Sequence, residues 1–541
     1  MYIKLRNKLA VVVILSLLIA SLLPMGSVFA ESSGIKNVIL LIPDGMNVSA
    51  VTLARWYQDG EPLAMDELAC GLVRTYNSNT PIADSAPAGS AMATGYKSES
   101  PFIATMPSTS GMPGTIPVYE EDMKKPAATV LEAAKLKGMA TGIVSTSNVQ
   151  HATPADFTSH YPDRNAYEIL AEQQVYQNID VVLGAGSQYL DAANRKDKED
   201  LIQVIREMGY DYVTSKAQMK ASNSSKIWGM FASSAMAYEF DRDAAVEPSL
   251  AEMTQKAIEV LSKNKKGFFL MVEGSKIDWA AHANDPIGVI SDVLAYDAAV
   301  KVALDYAKEN GDTIVISVSD HGTGGLSIGD ASTSKGYDKI PLSEFISPLK
   351  KAVLTGEGLE SKFNADRSNI VEVMDAYYGI TDLTEEEIRA IKETKAGSMN
   401  YTVGPMISKR AHIGWTTTGH TGEEVVLYVY SPDGDRPTGV IENTDIANYI
   451  ERKLKLNLAE ANSKLFVAAR NAFEAKGASV QWNNDDPENP VIIVMKDENV
   501  LKLPVYKNIA ELNGEVVIMN GLTLFNGEKV FVPQEAVDLI K

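Results

Sequence analysis

The amino-acid sequence predicts an α/β protein with a central, mostly parallel sheet flanked by helices on both faces and a small α/β module at the C-terminal end. Continuous apolar runs of strand length recur along the chain, as expected of strands buried on both faces. Helical stretches that close on glycine lie between them. Beyond residue 456 that alternation gives way to short β-like runs separated by Asn, Gly and Pro.

In chain order, residues 1–30 read as an export leader. Lys4, Arg6 and Lys8 form a basic head, an apolar run follows from Leu9 to Leu23, and Val28-Phe29-Ala30 places small residues at −3 and −1 of a cleavage site after Ala30. An uncleaved anchor is the alternative. The apolar run is short for a bilayer span, and no later segment approaches the ~20 apolar residues that a transmembrane helix needs. A secreted product is therefore expected, extracellular or associated with the cell surface. Losing the leader takes the formal charge from −20 to −23. So acidic a chain is a poor ligand for nucleic acid, whose binding proteins gain affinity by neutralising phosphates. Cys70 is the single cysteine, so stability must come from core packing, which bound metal could reinforce, rather than from an intramolecular disulfide.

Residues 31–456 then read as one catalytic domain. "VILLIP" (38–43), "TGIVST" (141–146), "DVVLG" (180–184), "GFFLMVEG" (267–274) and "TIVISVSD" (313–320) are the predicted buried strands. "AATVLEAAKLKG" (127–138) and "IGVISDVLAYDAAVKVALDYAKENG" (287–311) are predicted helices between them. Residues 457–541 form the appended module, with a helical stretch over 463–477 and β-like runs at 491–496, 515–520 and 529–540.

In parallel sheets ligands sit beyond the carboxyl ends of the strands, and here those ends carry metal-binding residue types. The first strand delivers Asp44, and "TIVISVSDHG" delivers Asp320 and His321. "FFLMVEGSKIDWAAHAND" delivers Glu273, then Asp278 and His282, four apart and so on one side of a helical turn. His420 lies between glycines in "GWTTTGHTGEE". A lone histidine is more often a hydrogen-bonded structural residue than a ligand, but three beside strand-end aspartates are hard to obtain by chance. The stretch "PIADSAPAGSAMATGYK" (81–97) offers two serines, Ser85 and Ser90, and no neighbouring base. "GAG" (184–186) lacks the further glycine of a dinucleotide fingerprint, and "STSK" (332–335) lacks the companion motifs of penicillin-interacting enzymes.

The ordered motifs "PDGM", "DSAPAGSAMATG", "HATPADFTSHYPDR", "VEGSKIDWAAHAND", "SDHGTGG" and "TTTGHTGEE" resemble those of the alkaline phosphatase family from about Asn37 to Tyr430. The resemblance implies a phosphomonoesterase that acts on small-molecule phosphate monoesters with broad specificity, through a phosphoserine at Ser85. It implies two zinc ions, one held by Asp278, His282 and His420 and one by Asp44, Asp320, His321 and Ser85. A magnesium ion is implied at Asp44, Thr153 and Glu273, with His151 nearby, and Arg164 matches the arginine that grips phosphate. Trp279, after the zinc aspartate, either tunes that surrounding or merely packs. Asn47 replaces a glycine common in relatives, and His160 and His412 match no ligand position. The last module loosely resembles copper-amine-oxidase N-terminal modules, chiefly in "GEKVFVPQEAVDLI". Cell-surface association through that module and a homodimer are the candidate assemblies. The rival readings are a phosphodiesterase of the same superfamily and a non-catalytic adhesion protein that retains the scaffold.

Overall fold

A computed structural model describes residues 34–541; the leader expected over residues 1–30 lies outside the described residues. Ten strands form the main sheet. They are β1 (Asn37–Pro43), β2 (Ala69–Arg74), β3 (Ala140–Asn148), β4 (Val181–Ala185), β5 (Asp211–Val213), β6 (Ile227–Met230), β7 (Phe268–Gly274), β8 (Thr313–Val318), β9 (Val425–Tyr430) and β10 (Gly439–Glu442). Their spatial order is β10-β2-β9-β8-β1-β7-β3-β4-β6-β5. Only β9 runs against its neighbours, β2 and β8, and every other pairing is parallel. The central strands β8, β1, β7 and β3 are buried along their whole length, which is why they read as unbroken apolar runs.

Successive side chains on these strands point to opposite faces. Ile39 and Leu41 of β1 and Leu270 and Val272 of β7 enter one core with the helices Leu250–Leu261 and Pro286–Asn310. Val38, Leu40, Phe269 and Met271 point the other way and are equally buried, where the helices Val130–Leu136 and Thr444–Leu454 meet the sheet. The long helix Pro286–Asn310 has proline at its first turn, Asp285 accepting from the Ile287 amide, and Gly311 in the left-handed conformation at its end. Among the described residues no helix is long and apolar enough to cross a membrane.

The C-terminal module is a five-stranded antiparallel sheet, Ser479–Asn483, Val491–Lys496, Asn499–Pro504, Ile509–Leu512 and Glu515–Ile518 in sequence order, with short helices beside it. Two sequence expectations fail here. The stretch 463–477 is not one helix: the helix Leu458–Leu465 stops, Val467–Ala468 pairs antiparallel with Phe531–Val532, and a second helix spans Ala469–Ala475. Phe466 turns inward at the break and is buried, so tertiary packing overrides a helical pattern. The run 529–540 is a strand, Val530–Val532, followed by a helix, Gln534–Leu539, because Pro533 sets the N-terminal boundary of that helix.

Candidate active site

Four adjacent strands aim their carboxyl ends at one place. Asp44 follows β1, Asp320 and His321 follow β8, Glu273 ends β7, and His151 and Thr153 follow β3. The helix Lys276–His282 continues from β7 and places Asp278 and His282 on one side, with His282 Nε2 3.3 Å from Asp278 Oδ2. His420 arrives from far along the chain on a two-residue strand, His420–Thr421, paired with Gly322–Thr323. That pairing stacks its ring on His321, with centroids 3.7 Å apart. Gly45 has φ +71°, and a Cβ there would lie 2.6 Å from Asp278 Oδ1, so only glycine fits behind the aspartates.

Ser85 is the first residue of the helix Ser85–Thr94, with Asp84 preceding it. Its Oγ lies 3.1 Å from His321 Nε2. Asn47, the residue out of keeping with relatives, caps the helix Val48–Tyr57 by accepting from the Ala50 amide and donates to the Thr323 carbonyl. Arg164 reaches the same cleft from the loop after the buried His160. Its Nη1 donates to Asp84 Oδ1 at 2.5 Å, and its Nη2 lies 3.2 Å from His151 Nε2. Asp84 is in turn held by the Ser100 hydroxyl. The cleft, of about 650 Å³, is lined by Asp84, Ser85, His151, Arg164, Asp278, Trp279, His282 and His420, with Ile82 and Tyr401 at its apolar side.

The polar groups here are poorly satisfied by the protein. Both Asp44 oxygens, Asp320 Oδ2, Glu273 Oε1, Thr153 Oγ1 and His151 Nδ1 are buried without a hydrogen-bond partner. Orphaned buried polar atoms are rare and costly, and six converging on one point mark a place where another group belongs. The histidines carry the same signature. His282 Nδ1 meets the Thr418 carbonyl at 2.6 Å and His420 Nδ1 meets the Ala83 carbonyl at 2.7 Å. Both Nδ1 atoms therefore hold the proton, which leaves the two Nε2 lone pairs facing each other at 3.1 Å. Such a pair suits a cation between them. Ligand atoms of Asp278, His321 and His420, of Asp44, Asp320 and His321, and of Asp44, His151 and Glu273 each gather within 4.8 Å. The mixed His/Asp sets suit zinc, and the carboxylate–hydroxyl set of Asp44, Thr153 and Glu273 suits a harder ion.

The electrostatics agree. Burial, and then the Asp320 carboxylate, push Asp44 well above the usual carboxylate range, and burial pushes Glu273 up to about 7. Burial and the Arg164 guanidinium press His151 down to about 3, so that ring stays neutral. Burial opposes charge on His282, yet the Asp278 carboxylate that its Nε2 faces raises it to about 9, so this position favours positive charge, which a bound cation in place of the Nε2 proton would supply.

The residues assigned to catalysis, metal binding or their surroundings in the sequence lie at this cleft or in the strand ends beneath it. Trp279 lies edge-on to His151, centroids 5.9 Å apart, over the buried Lys276 ammonium. Ser90 does not reach the cleft. Its hydroxyl donates to Asp156 Oδ1 at 2.8 Å and accepts from the Ala104 amide at 2.7 Å. Gly89 faces that carboxylate, and a Cβ there would sit 2.2 Å from Asp156 Oδ2. His160 and His412 lie apart, bonded to Glu132 and Ser332. Sequence reasoning missed Asp84, which holds Arg164, and Thr323, whose hydroxyl donates to Asp278 Oδ1 at 2.5 Å. It also missed Tyr401, a residue of the helix Met399–Arg410 with no motif around it.

Residues 35–456 match the family model described as alkaline phosphatase, and residues 446–539 match that of the copper amine oxidase N-terminal domain. Alkaline phosphatase 3 of Bacillus subtilis is 36% identical over 484 residues, covering 84% of this chain and 98% of its own. Repressible alkaline phosphatase of Saccharomyces cerevisiae is 31% identical, covering 79% of this chain and 82% of its own. Among solved structures, Thermus thermophilus alkaline phosphatase superposes with a TM-score of 0.69 at 28% identity, over 79% of this chain and 94% of that one. A His-to-Asp variant of the alkaline phosphatase from the Antarctic bacterium TAB5, TM-score 0.56 at 25% identity over 78% of this chain and 99% of that one, is described with magnesium in its M3 site.

Proposed function

The chain belongs to the alkaline phosphatase family of phosphoric monoester hydrolases, and from that premise we propose that it cleaves phosphate monoesters through a phosphoserine at Ser85. The observation that carries this is the set of six orphaned buried polar atoms that surrounds a serine at a helix start. Zinc held by Asp278, His282 and His420 and by Asp44, Asp320 and His321, with magnesium at Asp44, Thr153 and Glu273, would supply Lewis acidity toward the serine and ester oxygens. That role replaces the general base that Ser85 lacks among its sequence neighbours.

The protein's own groups then do the following. Arg164, pinned by Asp84, presents its guanidinium edge to two nonbridging phosphoryl oxygens, a fork that lysine could not reproduce. The N-terminal end of the helix Ser85–Thr94 favours negative charge on the Ser85 oxygen. Ser85 Oγ attacks phosphorus, the P–O bond to the alcohol breaks, and the alcohol departs with a proton. Water then attacks the phosphoserine from the same side as the departed alcohol, which frees phosphate and regenerates the serine. Two in-line inversions give net retention at phosphorus. His151, neutral by burial, keeps Arg164 in place without adding charge.

The same reading takes residues 1–30 as the leader that exports the enzyme, 31–456 as the catalytic domain and 457–541 as the appended module. The test is to quench the enzyme during turnover of a phosphomonoester and map the phosphorylated peptide. Label on Ser85 is expected; label on Ser90, or a strong preference for aryl phosphodiesters over monoesters, contradicts the proposal.

A further inference from the structure

The C-terminal module does not hang free of the catalytic region. Phe466 is buried edge-on against the His160 ring, with centroids 4.7 Å apart. Tyr506 is buried edge-on against the Tyr161 ring at 6.2 Å. Around these two contacts Asn462 Oδ1 accepts from the Ala128 amide, and Lys507 Nζ lies 2.7 Å from Glu199 and 3.4 Å from Glu172. Asn526 donates to the Lys124 carbonyl on the other flank.

His160 and Tyr161 open the short loop that ends in Arg164. From within the catalytic region this loop is held by backbone pairing to its neighbour segment: Tyr161 exchanges two hydrogen bonds with Ile103, and the Arg164 amide donates to the Pro101 carbonyl. That neighbour segment runs from Ser100, which holds Asp84, to Ala104, which is tied to Ser90 and His160. Both faces of the Arg164 grip, the loop that carries the arginine and the segment that fixes its aspartate, are therefore stitched into one unit. The module packs on that unit from behind, through two aromatic rings.

We infer that Phe466 and Tyr506 are positioning residues for Arg164, so that the appended module sets how tightly the active site holds a phosphoryl group. This rests on the reading of Arg164 as the phosphate-gripping residue. The physical ground is that a bidentate contact tolerates little misplacement, and that the two residues which open the loop, His160 and Tyr161, each pack a ring against the module.

The experiment measures inhibition by inorganic phosphate, KM and kcat for an aryl phosphomonoester, and zinc content, in the full-length chain. Tyr506→Ala is expected to weaken phosphate inhibition and raise KM by about three- to tenfold, with kcat changed less and zinc content unchanged. Tyr506→Phe keeps the ring and should restore wild-type values. Val516→Ala, on an exposed strand of the same module, should move nothing. Should Tyr506→Ala fail to fold, Tyr506→Leu is read in the same way. Arg164→Ala separates the two claims. If it weakens phosphate inhibition while the Tyr506 variants leave it unchanged, the positioning inference is overturned and the Arg164 reading stands. If Arg164→Ala itself has no effect, the underlying reading is the one that falls.

Discussion

Two acidic clusters in this protein look alike in composition and differ in what neutralises them. Around Ser85, the carboxylates of Asp44, Asp320 and Glu273 keep oxygens that no protein group satisfies. Some way off, Glu172, Asp197 and Glu199 also bring ligand atoms within 4.8 Å of one another. There the chain supplies its own cations: Arg195 forks onto Asp197, and Lys507 reaches between Glu199 and Glu172. The second cluster is closed by side chains except at Glu199 Oε2, whereas the first leaves four carboxylate oxygens, two on Asp44 and one each on Asp320 and Glu273, to be completed from outside. Acidic clustering alone therefore says little about metal binding, whereas orphaned oxygens and facing imidazole lone pairs say a great deal.

The comparison breaks most readily at the nucleophile. Ser85→Ala should lower turnover by at least about 10³-fold while zinc content stays intact, measured as kcat alongside metal analysis. A chelator should come next in effect: activity is lost, and zinc plus magnesium restore it. By mass action, metal at a thousandfold excess over its dissociation constant adds about 4 kcal/mol to stability, so the chelated protein should melt at a clearly lower temperature. At the second cluster the internal cation is the sensitive part. Lys507→Met takes the charged partner from half-buried Glu199 and should destabilise the fold by about 1–3 kcal/mol in denaturant titrations, with no metal able to reverse it.

The second cluster also makes a pH prediction. Burial pushes Glu172 up from the usual 4.5 to about 8, despite Lys507 nearby. The folded protein then holds a proton that the unfolded chain has released, so this group favours folding at low pH. Its contribution is lost as pH climbs from about 4.5 toward 8. Glu172→Gln should flatten the fall in stability across that window, read from unfolding midpoints at several pH values. The smallest effect on activity is expected for Ser90→Ala. It strips partners from Asp156 and the Ala104 amide, costing about 1–3 kcal/mol of stability, yet it should leave substantial turnover.

The sequence made the first cluster legible and the second invisible, for a physical reason. Asp44, Asp320 and His321 end strands whose apolar runs announce themselves, and Asp278 and His282 share a helical turn. Strand ends in a parallel sheet converge, so local pattern plus topology places these residues together. His420 stands out between its glycines, but its grouping with Asp278 and His282 rests on the family resemblance, since only the pairing with Gly322–Thr323 carries it over His321. Glu172, Glu199 and Lys507 have no such shared signal; a contact across more than 300 residues of chain joins them. Asp84 is hidden for a different reason, as it adjoins Ser85 and its tie to Arg164 appears only when the loop after His160 folds back. The module's helix and strand boundaries depart from the sequence pattern where Phe466 and Pro533 answer to packing and to a missing amide rather than to periodicity.

The two clusters part company most directly in a crystal of the zinc-loaded enzyme, with anomalous scattering recorded at the zinc edge. Two peaks are predicted beside Ser85, one among Asp278, His282 and His420 and one among Asp44, Asp320 and His321, with none among Glu172, Asp197 and Glu199. A peak at the second cluster, or none beside Ser85 under zinc-replete conditions, would contradict the account.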